Sequence, residues 1–197
     1  MFCTEHNSTR SRVFQTITSL GDPVYGIWNT TAGSDSVNAT VGTLTGQYPS
    51  SESPPNAIDN NVGTKYTSFG NGSISVYSST KGVGTGFYIT PAVGSSVATG
   101  ILFATANDNP PRDPITITME GSNANTNVLL QKGTSWTLLY NGPTGILQTM
   151  DPGRNTFVQQ QNFTNTNAYT SYRILVTSQR GSGVCTQYSE AQIIGFV

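Results

Sequence analysis

Ser53-Pro54-Pro55-Asn56-Ala57-Ile58-Asp59-Asn60-Asn61-Val62-Gly63-Thr64-Lys65-Tyr66-Thr67-Ser68-Phe69-Gly70 is the stretch from which the rest of the chain can be read. Pro54 and Pro55 lack a backbone N–H and fix φ, so they close off whatever precedes them. Ala57 and Ile58 make a short apolar step into an oxygen-rich turn of Asp59, Asn60, Asn61, Gly63 and Thr64. Two readings of that turn stand side by side. Asp and Asn side chains can bond their own backbone in Asx-type turns. The same carboxylate, amide, hydroxyl and carbonyl oxygens are also the hard donors that Ca2+ prefers, although the spacing is not that of an EF-hand loop.

Working outward, the chain has 197 residues, enough for one full-sized domain with its own core. Charged residues make up only 10%, against about 25% in ordinary soluble domains, and the net charge is −1. This balance excludes a nucleic-acid footprint and a basic membrane patch. Ser and Thr number about fifty, and with Asn they give a hydroxyl- and amide-rich surface of the kind secreted glycoproteins and assembly subunits carry. Five Asn-x-Ser/Thr sequons, at Asn7, Asn29, Asn38, Asn71 and Asn162, are candidate glycosylation sites. Cys3 and Cys185 lie near opposite ends of the chain. A bridge between them would close almost the whole domain into one loop and stabilise it by about 4 kcal/mol in the chain-entropy picture; two unrelated thiols are the alternative. No apolar run approaches a membrane span. Met1-Phe2-Cys3-Thr4-Glu5-His6 is polar too early for a signal peptide, so a secreted form is expected to have a leader ahead of Met1.

The rest of the chain reads as strands. Val13–Ile17, Val24–Trp28, Phe87–Thr90, Ala98–Thr105, Ile115–Glu120, Trp136–Tyr140, Tyr172–Thr177 and Gln192–Val197 are short, rich in β-branched and aromatic residues, and punctuated by Gly, Pro and Asn. Asn141-Gly142-Pro143 reads as the end of its strand. Residues 29–53 are too long for a structureless loop and read as several short strands and turns. The expectation is an all-β sandwich with an N-terminal extension over 1–20 and a domain over 21–197.

The order of these elements resembles the discoidin, or coagulation-factor C-type, family of galactose-binding-like jelly rolls. Asn56–Tyr66 is similar to the family's Ala-x-Asp-Gly…Thr-x-Trp segment, with Tyr66 in place of the usual aromatic. Met119-Glu120-Gly121-Ser122-Asn123 followed by Trp136-Thr137-Leu138-Leu139 is similar to its Gly-Ser-x…Trp stretch. Tyr172-Arg173-Ile174-Leu175-Val176 is similar to its Tyr-Arg strand, and Gln187–Gly195 to its closing strand with an acidic residue. Ala106–Pro114 resembles a subgroup found in bacterial exported surface proteins. The resemblance covers about residues 20–197 and implies a jelly-roll β-sandwich of two antiparallel sheets. It also implies a structural Ca2+, with Asp59, Thr64 and Glu190 as side-chain ligands and Ala57 and Asn61 as carbonyl donors.

Asn107, Asp108, Arg112 and Asp113 gather charge in a chain that has little, and suit a loop for a ligand or partner. An Arg112–Asp ion pair closing the loop on itself is the alternative. Tyr25, Trp28, Tyr48, Tyr66 and Tyr77 are candidates for a sugar-stacking platform or for core. His6 is the only histidine, with no partners for a nucleophile triad, so a non-catalytic protein is expected. The functional expectation is an extracellular structural or adhesive subunit that self-associates, with residues 1–20 as an inter-subunit arm. The alternative is a calcium-containing, lectin-like carbohydrate-binding module.

Overall fold

Branched and aromatic residues alternating with small polar ones, broken every few positions by Gly, Pro or Asn, fold as many short strands. In the computed structural model, which describes residues 13–72 and 77–197, they are β1 (Gln15–Thr16), β2 (Val24–Trp28), β3 (Val37–Asn38), β4 (Thr40–Val41), β5 (Gln47–Tyr48), β6 (Tyr66–Ser68), β7 (Thr85–Ile89), β8 (Val97–Ala104), β9 (Pro114–Ser122), β10 (Thr137–Pro143), β11 (Gln161–Asn162), β12 (Ser171–Gln179), β13 (Thr186–Tyr188) and β14 (Glu190–Phe196). A single helical turn, α1, spans Asn127–Leu130, capped by the Thr126 side chain.

Two antiparallel sheets face each other, one ordered β10-β9-β12-β7-β2-β3 and the other β1-β14-β8-β11. Two small pairs flank them: antiparallel β6 with β13, and β4 with β5, which run parallel rather than antiparallel as expected for the fold's sheets. Phe87, Ile89, Ile117, Met119, Tyr172 and Ile174 meet Ala98, Ile101, Phe103, Ala191 and Ile193 to form the core. Strand periodicity of two then sends their neighbours to the outer face. There Leu138, Glu120, Arg173, Tyr88 and Tyr25 are successive cross-strand partners, one row across five strands.

The Ser53–Gly70 stretch threads between the sheets. Pro54–Ala57 forms a 3-10 turn with Pro54 and Ala57 buried. The Asn56 amide donates to the carbonyls of Ser51 and Lys65 and closes the loop. Tyr66 is fully buried and donates to the Gly86 carbonyl at 3.1 Å, its ring edge-on to Tyr188 and Phe87. Gly26 is what makes room, since a Cβ there would lie 2.8 Å from the Tyr66 hydroxyl and 2.9 Å from Pro54.

The segment before residue 20 is packed as far as it is described. β1 pairs with β14, Ile17 lies in the core, and the Phe14 ring meets Phe196 edge-to-face at 5.6 Å. The boundary expected at residue 20 thus falls inside the sandwich, and an arm would have to consist of residues 1–12, outside the described residues. Cys3, His6 and Asn7 lie there too, and with them the expected Cys3–Cys185 bridge. Cys185 itself is a buried free thiol against Phe69 and Val184, and burial pushes it up to about 11. β10 continues through Asn141-Gly142-Pro143 instead of stopping there. As the edge strand of its sheet it tolerates Pro143, because an N–H facing outward is not needed.

Candidate functional site

Three constellations can be built from the residues upward. The first is the oxygen-rich turn. β14 begins at Glu190, fully buried, and its Oε1 accepts from the Asn61 N–H at 2.7 Å. The same N–H is shared with Asp59 Oδ1 at 2.9 Å. The Thr64 hydroxyl sits 2.7 Å from Asp59 Oδ2 and 2.8 Å from the Asn61 carbonyl, so one proton serves two acceptors. Gln192, which the sequence did not single out, donates to Asn60 Oδ1 at 3.1 Å and to Glu190 Oε2 at 3.3 Å. Burial and the facing Asp59 carboxylate push Glu190 up to about 7.

Lone pairs outnumber protons in this cluster, and among the described residues the other buried acids are better served. Glu120 has Arg173, Asp113 has two arginines, and Asp22 accepts the N–H groups of Ser19 and Ala92. Glu190 faces a second carboxylate with no basic residue at hand. The donor set fits a hard divalent cation such as Ca2+, with Asp59, Glu190 and the Thr64 hydroxyl converging and the Asn61 carbonyl beside them. Ala57 is buried at the end of the 3-10 turn just before. A cation there would neutralise two facing carboxylates and tie the first third of the chain to its last strand.

The second constellation is the loop at 106–113, and it is consumed internally. Asp108 accepts from Lys65 at 2.8 Å and from Gln187 at 2.7 Å. Asp113 is fully buried and gripped by both Arg154 amino groups at 2.8 and 2.7 Å, with Arg180 at 3.1 Å. The ion pair expected within the loop therefore forms with arginines 41 and 67 residues away, because Arg112 lends only its backbone, bonding Thr186. Asn107 is exposed.

The third is a groove of about 440 Å³ on the outer face of the six-stranded sheet, at the end where β2 and β12 begin. Tyr25 forms one wall, exposed but stacked almost parallel on Tyr88 at 5.0 Å, which fixes its ring. Thr90 and Ser171, their hydroxyls 2.8 Å apart, line it next to Thr170. The opposite wall is Asn123-Ala124-Asn125 with Asn127 and Leu130. Asn123 spends its amide on the Thr170 N–H and the Ala168 carbonyl, which fixes the wall. Asn125 and Asn127 are exposed and keep their amides uncommitted. Among the described residues, none that lines the groove is charged.

Of the five aromatic candidates, Tyr25 is the one in this groove, whereas Tyr66 is core, Tyr48 packs against it, and Trp28 and Tyr77 lie elsewhere. Asn123, Asn125 and Asn127 escaped sequence reasoning. Their signal is Asn at every second position, and in the extended stretch before α1 that spacing sets Asn123 and Asn125 along one side. The sequon asparagines Asn29, Asn38, Asn71 and Asn162 are all exposed. Asn29 and Asn71 line one common hollow of about 350 Å³, and Asn162 sits on β11.

With this geometry in hand, the chain can be set beside known proteins. No protein-family model and no curated protein matches it. Solved structures do. The family 32 carbohydrate-binding module of C. perfringens NanJ, in complex with galactose, superposes with a TM-score of 0.57 at 10% identity, over 92% of this chain and 99% of that one. A family 32 module from a family 31 glycoside hydrolase of Clostridium perfringens gives 0.54 at 14% identity, over 80% and 90%. Chitosan-binding module 1 from a chitosanase/glucanase of Paenibacillus sp. IK-5 gives 0.51 at 12%, over 92% and 99%. The fold is thus the jelly-roll β-sandwich that the motif order implied, shared with these modules.

Proposed function

We propose that this chain is a non-catalytic carbohydrate-binding module of an extracellular protein, and that the Tyr25 groove is where it takes a neutral sugar. The observation that carries this is the groove's chemistry. A rigid aromatic wall offers a stacking surface to the C–H face of a pyranose, and the uncommitted amides of Asn125 and Asn127 opposite it can bond the ring hydroxyls. A volume of about 440 Å³ suits one or two sugar residues. The kinship in fold with modules solved with galactose or named for chitosan adds support. This reading takes the lead over the structural-subunit expectation, which rested on low charge, a hydroxyl-rich surface, sequons and an N-terminal extension, because the solved structures that share the fold are carbohydrate-binding modules. A Ca2+ held by Asp59, Glu190 and Thr64, with the Asn61 and Ala57 carbonyls, belongs to the same reading as a structural ion.

Calorimetric titration with galactose, N-acetylgalactosamine and N-acetylglucosamine tests the groove. Millimolar or tighter binding of at least one sugar is expected, with Tyr25→Ala weakening it about tenfold or more, the scale of a lost aromatic contact. Absence of binding to all three, or unchanged binding by the variant, would count decisively against it.

A further inference from the structure

A second hollow has the same kind of chemistry, on the other sheet. It holds about 470 Å³ and is lined by Phe14, Thr99, Gln160, Asn162, Phe163 and Phe196, with Thr164 and Asn165 at its margin. Its aromatic walls are set rigidly, for Phe163 stacks on Tyr140 at 5.2 Å and Phe14 meets Phe196 edge-to-face. Its polar groups are half-committed in a way that leaves both a donor and an acceptor to spare. Gln160 Nε2 donates to Asn162 Oδ1 at 2.6 Å, so the Asn162 amino group and the Gln160 oxygen remain available. The Thr99 and Thr164 hydroxyls add two more. Among the described residues, no charged side chain lines it.

The two hollows are not independent accidents of the surface. Residues 163–171 cross from β11 in one sheet to β12 in the other. Phe163, Thr164 and Asn165 line the second hollow, and Thr170 and Ser171 line the first. Each end of the crossover is pinned by an asparagine amide. Asn165 donates to the Ala98 and Asn167 carbonyls and accepts from the Asn167 N–H. Asn123 holds the Ala168–Thr170 end.

We infer that the Phe14–Phe163–Phe196 hollow is a second carbohydrate subsite, taking a neutral sugar such as an N-acetylhexosamine, with the module gripping glycans on both sides of one crossover. Among the described residues the lining holds no cation to offset a buried carboxylate or phosphate, which favours a neutral ligand over an anionic one. Aromatic walls beside free amides match an acetamido sugar, whose methyl and C–H faces are apolar and whose amide is polar. The inference does not depend on the Tyr25 groove, which can fail while this hollow binds.

Amide chemical-shift titration of unglycosylated protein from a bacterial host, with galactose, N-acetylgalactosamine and N-acetylglucosamine in turn, is the test. Shifts are expected at residues 99–100, 160–165 and 196. They should persist in Tyr25→Ala, and should need about tenfold more sugar in Phe14→Ser, a change at an exposed ring. Asn162→Ala is the second variant, read the same way, should Phe14→Ser disturb β1. Shifts confined to residues 25, 90, 123–127 and 170–171, or shifts at the second hollow that vanish in Tyr25→Ala, would overturn the inference. So would material from a eukaryotic host in which an Asn162-linked sugar fills the hollow by its contacts to Phe163.

Discussion

Arg173 is the side chain that shows most plainly how this fold spends its few charges. It is fully buried, 2.7 Å from Glu120 Oε2, with its guanidinium 4.9 Å from the centre of the Trp136 ring and one amino group on the Ser34 carbonyl at 3.0 Å. Glu120 Oε1 in turn accepts the Gly33 N–H at 2.8 Å, so the pair moors the Thr30–Ser36 loop to the sheet. Removing one partner leaves the other charge buried and uncompensated. Glu120→Gln should therefore cost about 3 kcal/mol in urea unfolding, and Glu120→Gln/Arg173→Met should recover part of it. A loss under about 1 kcal/mol would mean the pair is not the mooring. Glu190 is the complementary case, a buried acid whose partner is another acid. Its folded value of about 7 lies above the ordinary 4.5, so in metal-free protein its contribution to stability is fully present below pH 4.5 and is lost as the pH rises through 7. A cation requires the deprotonated form and reverses that preference. The rise in Tm from added Ca2+ over EDTA should be larger at pH 8 than at pH 5.5, and absent in Glu190→Gln. Equal Tm with Ca2+ and EDTA at pH 8 would remove the ion from the account.

At the scale of elements, the sequence was most legible where one face of a strand is buried. Ile115–Glu120 alternates cleanly and Tyr172–Thr177 carries the apolar run Ile174-Leu175-Val176, and they became the neighbouring strands β9 and β12, each longer at both ends than the pattern announced. The ends were less legible because the flanking residues, such as Ser171 and Gln179, are small or polar yet buried by tertiary contacts. β4, β5, β6 and β13 have two or three residues each, too few for any period to register. The loops hid their partnerships for a different reason. Nothing near Asp113 in sequence announces Arg154 and Arg180, which only the closed sandwich brings together. The crossover at 163–171 shows the same dependence, since the Asn123 amide that secures it comes from the end of β9. Asn123→Ala removes two hydrogen bonds at an exposed site and should cost only about 1–2 kcal/mol of stability. Its effect on sugar affinity in the Tyr25 groove should be out of proportion, about tenfold, because the groove's opposite wall is no longer held. Calorimetry beside urea unfolding checks this. Full affinity in the destabilised variant would show that the wall needs no mooring.

For the whole molecule, low charge has a consequence for recognition as well as for solubility. Among the described residues, five of the seven basic side chains, Lys65, Lys132, Arg154, Arg173 and Arg180, are engaged in ion pairs within the chain, which leaves Lys81 and Arg112. Neither grips a groove: among the described residues, none that lines either hollow is charged. The motif order was enough to read the jelly roll, because fold follows from strands and turns spread along the chain. The sugar grooves were not readable, because each assembles Asn, Thr and aromatic residues from segments up to about 180 residues apart, and a chain so rich in Asn and Thr gives such residues no contrast. Affinity for a neutral sugar should stay within about twofold between 50 mM and 1 M NaCl, since at roughly 3 Å of screening length only interactions between exposed charges are lost. Sialylated or uronic-acid sugars should bind no better at low salt than their neutral counterparts. A steep loss of affinity with salt, or a preference for acidic glycans, would mean that recognition is built on basic side chains and not on the grooves' neutral chemistry.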